Sequence, residues 1–140
     1  MAGTGTGKVV PTPSPIVAAT LIANTTVPYP YSSVNLLSTP LQCWIPASGR
    51  ALVTLSANIA FTAVGSMELY VGANAASPLG VLGDNRSTGV YALEVTRAMI
   101  MDASSGVVPN SMNSFNVTAI MYAGAASALE VGGTLIVQPL

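Results

Sequence analysis

The stretch Ala51-Leu52-Val53-Thr54-Leu55-Ser56-Ala57-Asn58-Ile59-Ala60-Phe61 sets the reading of the whole chain. Its odd positions are all apolar, and Thr54, Ser56 and Asn58 stand between them. A period of two belongs to a β-strand with one face on a core, so the odd positions are expected inward. The same alternation returns in residues 113–122, with Phe115, Val117, Ala119 and Met121 on one face and Asn116 and Thr118 on the other. Residues 90–101 place Tyr91, Leu93, Val95, Met99 and Met101 together, interrupted by Arg97. The C-terminal run aligns Val131, Leu135 and Val137, and Gly132-Gly133 suggests a bulge or a close approach. Shorter strands are expected at 16–23, 34–37, 41–45, 67–71 and 79–82.

Turn chemistry separates these segments. Pro46-Ala47-Ser48-Gly49 ends one strand and launches the next, and 72–78, 83–89, 103–109 and 123–127 read as loops rich in Gly, Asn, Asp, Ser and Ala. No segment carries a helical stripe, and Pro and Gly recur too often for long helices. Short strands at this spacing predict an all-β protein: an antiparallel β-sandwich, a jelly roll of about eight strands with an extended N-terminal arm. One domain is expected over 16–140.

The arm is residues 1–15, MAGTGTGKVVPTPSP. Gly at 3, 5 and 7 loosens its first part, and Pro at 11, 13 and 15 holds the second part extended. It reads either as a disordered terminus or as an arm lying along a neighbouring subunit.

Charge is scarce. The 140 residues include four basic and five acidic side chains and no histidine, so 6% are charged where an ordinary domain has about 25%. A free surface needs charge to stay soluble, so much of this surface is expected to be covered by copies of the chain or by a larger assembly. The near-neutral balance gives no footprint for nucleic acid, and no apolar run is long enough to be a membrane helix.

The composition also closes most routes to catalysis. Without histidine, Ser–His and Cys–His nucleophiles are impossible. Cys43, the single cysteine, permits neither an internal disulfide nor a usual zinc site, and it reads as a small buried hydrophobe. Gly3-Thr4-Gly5-Thr6-Gly7-Lys8 looks like a phosphate loop but has Val9 where Ser or Thr is required, and no strand precedes it. The acids Glu68, Asp84, Glu94, Asp102 and Glu130 read as solvated or ion-paired groups. The glycan-acceptor patterns at Asn24, Asn85 and Asn116 read as chance matches. No enzyme activity, cofactor or metal is expected.

Arg97 occupies an odd position where the pattern wants an apolar residue. It is expected either buried against a carboxylate such as Glu68, Glu94 or Glu130, or at a strand edge past a bulge. Leu52, Ile100, Ile120 and Ile136 fall on outward positions. The residues expected at subunit or assembly contacts are Lys8, Pro11, Pro13 and Pro15 of the arm, Tyr29 and Tyr31 in a Pro-containing connection, Arg97, and Ile100, Ile120 and Ile136.

The segment Leu41-Gln42-Cys43-Trp44-Ile45-Pro46-Ala47-Ser48-Gly49-Arg50-Ala51-Leu52-Val53-Thr54-Leu55-Ser56-Ala57 resembles a strand–turn–strand stretch common in virion β-domains of tailed bacteriophages. The closing Val131-Gly132-Gly133-Thr134-Leu135-Ile136-Val137-Gln138-Pro139-Leu140 resembles their last strand. These domains are trimeric jelly rolls of the tumour-necrosis-factor/C1q type, and the resemblance covers about residues 30–140. It implies a structural virion protein, a capsid decoration (cement or head-fibre) protein that forms homotrimers on the phage head. The partner it implies is the major capsid protein, and the location the capsid exterior, after synthesis in the host cytoplasm. The alternative it implies is the receptor- or glycan-binding tip of a tail fibre, using Tyr29, Tyr31, Trp44, Tyr70 and Tyr91. A chain that starts at Met1 with only a short arm is expected to be a free-standing subunit, which favours decoration.

Overall fold

A computed structural model describes residues 15–22, 33–61, 65–76, 78–86, 91–124 and 129–140. The strands are β1 (Val17–Thr20), β2 (Ser33–Asn35), β3 (Leu41–Ile45), β4 (Ala51–Phe61), β5 (Gly65–Ala73), β6 (Leu79–Arg86), β7 (Tyr91–Met101), β8 (Ser111–Gly124) and β9 (Leu129–Pro139). A 3-10 turn, Ala103–Ser105, follows β7.

All pairings are antiparallel. β2 and β3 pair with successive stretches of β8, so together they act as one interrupted strand. The chain then behaves as one long hairpin: β1 lies on β9, β2 and β3 on β8, β4 on β7, and β5 on β6. Rolling that hairpin up brings β4 beside β9 and β5 beside β8. The outcome is two sheets, β1-β9-β4-β7 and β2/β3-β8-β5-β6. This is a jelly roll.

The core follows the alternation. Ala51, Val53, Leu55, Ala57 and Ile59 of β4 are buried, as are Leu135 and Val137 of β9. Opposite them stand Cys43, Ile45, Leu69, Val71, Phe115, Val117 and Ala119, and all belong to one cluster. Leu36 and Leu37 are also buried, but they lie beyond the end of β2. Burial pushes the Cys43 thiol pKa up, as expected for a cysteine serving as a small hydrophobe. The Pro46–Gly49 turn forms as predicted: the Gly49 amide donates to the Pro46 carbonyl at 3.0 Å, and Gly49 has φ +64.

Three expected loops are shorter than their composition suggested. β6 continues through Gly83, Asp84, Asn85 and Arg86, β8 runs on to Gly124, and β5 includes Gly72 and Ala73. In each case a neighbouring strand supplies backbone partners, which overrides a weak local preference for turn.

Candidate interaction surfaces

The outer face of the β1-β9-β4-β7 sheet is assembled by register. One row across it holds Gln138, Leu52 and Ile100. The next holds Ala18, Ile136, Thr54 and Ala98, and the third holds Thr20, Thr134, Ser56 and Thr96. None of these side chains is charged. Ile100 is 44% exposed and Ile136 is 37% exposed, both high for isoleucine. Ser56 and Thr96 hydrogen-bond to each other at 3.1 Å, so even the polar part of the face is partly satisfied within itself. Charges bound these rows at both ends: Glu94 opposite Asn58 a row further on, and Arg50 and Asp102 just outside the ends of β4 and β7. Strand and residue spacings make this patch about 15–20 Å on a side, roughly half of the ~800 Å² each partner gives a standard interface.

The outer face of the other sheet is different. Trp44 pairs with Met112, and the two are 46% and 55% exposed. Gln42 Nε2 donates to Ser114 Oγ at 2.7 Å in the neighbouring row. Further along, Tyr70 lies opposite Thr118, and Ile120 lies opposite Glu68. The Tyr70 hydroxyl donates to Glu68 Oε2. Six residues of β8 separate the rows of Met112 and Thr118, so Trp44 and Tyr70 are about 20 Å apart and form no joint aromatic patch.

A buried asparagine shapes the connection beside Trp44. Asn113 is fully buried, and its Oδ1 accepts from the Val108 amide at 2.8 Å and from Asn74 Nδ2 at 2.7 Å. Its Nδ2 donates to the carbonyls of Val108 (2.9 Å) and Ser111 (3.0 Å). Asn74 Nδ2 also donates to the Gly106 carbonyl at 2.8 Å, and Asn74 itself sits at φ +54. Asn113→Ala strands these partners and is expected to cost about 2 kcal/mol, read as a lower urea midpoint at unchanged slope. In the same connection Asp102 caps the 3-10 turn, with the Ser104 hydroxyl at 2.5 Å and the Ser104 amide at 2.9 Å on its Oδ1. These two bonds, helped by Arg50, hold its carboxyl below the usual aspartate range.

The fold distributes the residues singled out from sequence. Ile100 and Ile136 share one face with Leu52, whereas Ile120 is half-buried on the opposite face of the sandwich. Arg97 pairs with Leu55 in an unbroken register, so it faces the core side without any bulge, yet it is exposed because β7 is an edge strand. Its Nη1 donates to the Thr96 carbonyl at 3.4 Å. Pro15 is exposed. Lys8, Pro11, Pro13, Tyr29 and Tyr31 lie outside the described residues, as does the side chain of Tyr91. Among the described acids, Glu68, Glu94 and Asp102 stand on one sheet face, on the other, and in a turn. Met112 went unnoticed because β8 begins two residues before the expected start. The alternation that buries Cys43 and Ile45 is the signal that turns Trp44 outward.

Two sheets in this strand order define the protein as a jelly-roll β-sandwich. It is similar to a chain of the T13 particle of infectious bursal disease virus, with TM-score 0.62 and 13% identity, over 91% of this chain and 31% of that one. A VP2 subviral particle of the same virus gives TM-score 0.61 and 13% identity, over 90% and 33%. PorU of Porphyromonas gingivalis gives TM-score 0.53 and 12% identity, over 96% and 13%. The chain thus spans about a third of the length of the viral chains it matches. No protein-family model and no curated protein matches it.

Proposed function

We propose that this chain is a structural virion protein and not an enzyme. In this reading it is a capsid decoration subunit that forms homotrimers on the exterior of a phage head and clamps the major capsid protein beneath. It is made in the host cytoplasm. The observation that carries the reading is the set of three uncharged rows on the outer face of the β1-β9-β4-β7 sheet, where Ile100 and Ile136 are exposed and Leu52 is half-buried between them. A face of that kind suits permanent contact better than a free surface. Likeness of fold to particle-forming viral chains supports the virion setting. The mechanism is mass action: a trimer that binds only the assembled shell stabilises the shell. The rival reading, a glycan-binding fibre tip, predicts an aromatic patch at one end of the sandwich, and among the described residues Trp44 and Tyr70 are too far apart to form one.

Light scattering on the purified protein is expected to give about three times the 14.1 kDa chain mass. Ile100→Lys with Ile136→Lys is expected to yield a folded monomer, since burying two unpaired ammonium groups is prohibitive. The wild-type protein should co-sediment with emptied heads of the virus that encodes it, and the lysine variant should not. A wild-type protein that is a stable monomer and stays in the supernatant would overturn the assignment.

A further inference from the structure

We propose that residues 9–15 of one copy add as an extended strand to the free edge of β7 in the next copy, and that the proline spacing closes the sheet there. The proposal rests on the assembly reading above and names the contact that completes it.

β7 is the edge that needs a partner. It is 11 residues long, ends the sheet order, and pairs with β4 residue for residue without a break. Alternate backbone amides of such a strand point away from its one neighbour. Edge strands are usually kept short, bulged, or blocked with Pro or Lys. The other edges follow that rule: β1 has 4 residues, β2 has 3, β3 has 5, and the β5–β6 ladder shifts register between Leu69 and Tyr70. β7 has no Pro, no Lys and no shift, and its defence is limited to charge: Glu94 on the outer face and Arg97 at inward parity. Thr96, Arg97 and Ala98 are all exposed, so both faces of the strand are open at its middle, and none of the described residues covers that edge.

The arm has the complementary property. In an extended chain the N–H and C=O of one residue point to one edge, and those of the next residue to the other. Pro11, Pro13 and Pro15 therefore remove donors from one edge only. Val10, Thr12 and Ser14 keep complete donor–acceptor pairs on the opposite edge. A segment built this way can pair on one side and refuses a further strand on the other. Residues 9–15 are also uncharged, as a partner for this charge-poor sheet should be.

Connectivity favours a neighbour's β7 as the acceptor. The arm leads into β1, at the opposite edge of the same sheet from β7. Reaching its own β7 means crossing three strand spacings, about 14 Å, over the ends of β9 and β4. A copy set with its β7 edge toward this β1 edge is met directly. Such a head-to-tail contact closes when copies form a ring, and three copies make the trimer. It also supplies contact that the sheet face is too small to provide alone.

Proline parity tests the idea in the full-length chain. Val10→Pro with Thr12→Pro places prolines on the pairing edge, and the alternate β7 amides that do not bond to β4 should then exchange about tenfold faster or more by NMR. Pro11→Ala with Pro13→Ala should keep that protection and add slow growth in light scattering, because the outer edge regains donors. Mixing isotope-labelled Val10→Pro/Thr12→Pro protein with unlabelled wild type should restore β7 protection in trans, increasing with wild-type concentration. Equal β7 exchange in wild type and Val10→Pro/Thr12→Pro overturns the proposal, as does protection independent of concentration. If the wild type is trimeric and sediments with heads while β7 exchange ignores the arm, this contact alone is wrong. If the wild type is monomeric and unbound, the virion assignment fails whatever β7 does.

Discussion

Gly133→Ala is expected to destabilise the protein by about 4 kcal/mol or more, a large share of the roughly 5–15 kcal/mol that holds a domain of this size. Two causes add. Gly133 sits at φ +135, a conformation that L side chains rarely adopt. An added Cβ would also lie 2.0 Å from the Ser56 carbonyl oxygen and 2.9 Å from Ala57 Cα. Those are backbone atoms of β4, which is held on both sides by β7 and β9, so they have little room to retreat. The neighbouring glycine is the control. A Cβ on Gly132 meets nothing within 4 Å, so Gly132→Ala should stay within about 0.5 kcal/mol of wild type. Urea unfolding of the two variants decides the matter, and coincident midpoints would refute the close-approach account.

The same glycine pair illustrates what sequence carries. Gly132-Gly133 signalled either a bulge or a close approach, and the register through Ala57↔Gly133 and Asn58↔Gly132 is unbroken, which leaves close approach. β3 and β4 were legible to the residue, because strict alternation and a Pro-Ala-Ser-Gly turn fix both face and boundary. The end of β6 was not, since Gly83-Asp84-Asn85 is turn-like chemistry kept extended by β5. Arg97 had the correct inward parity, but parity is blind to whether a strand lies at the middle or the edge of a sheet. Asn113 also has inward parity, and its burial depends on partners at 74, 108 and 111 that no local pattern announces. Sheet order was hidden for a related reason: β1 pairs with β9 across nearly the whole chain, and only the assembled register gathers Leu52, Ile100 and Ile136 on one face.

Fold and surface therefore carry different information. A jelly roll is shared with viral particle chains and with a Porphyromonas gingivalis protein, so the architecture alone selects no function. What narrows the choice is the chemistry on the outside of the sheets. One face has three uncharged rows, and one edge strand is long, unbulged and free of Pro and Lys. Both features are liabilities in a solitary domain and assets in a subunit of an assembly.

Phe115→Ala should cost about 4 kcal/mol, a loss that the interface substitutions should not produce. Phe115 is fully buried in β8, between Leu41 of β3 and Ala73 of β5 in the ladder, and faces the opposite sheet. It heads the largest fully buried side chains among the described residues. The rest of the cluster is aliphatic apart from Cys43 and Met101, and it is set on strands that pair along their length. Such surroundings cannot collapse into the space a ring leaves, which puts the loss toward the upper part of the usual Phe→Ala range. Phe115→Leu keeps most of the volume and should lose less than half as much. Thermal or urea unfolding at matched protein concentration reads both values, since the midpoint of any oligomer shifts with concentration. Phe115→Ala should lower the midpoint at every concentration and leave any folded protein in the same assembly state as the wild type. Ile100→Lys with Ile136→Lys should abolish the concentration dependence while keeping a folded monomer. Loss of the trimer without loss of folding in Phe115→Ala would mean that Phe115 belongs to an interface and the core assignment is wrong.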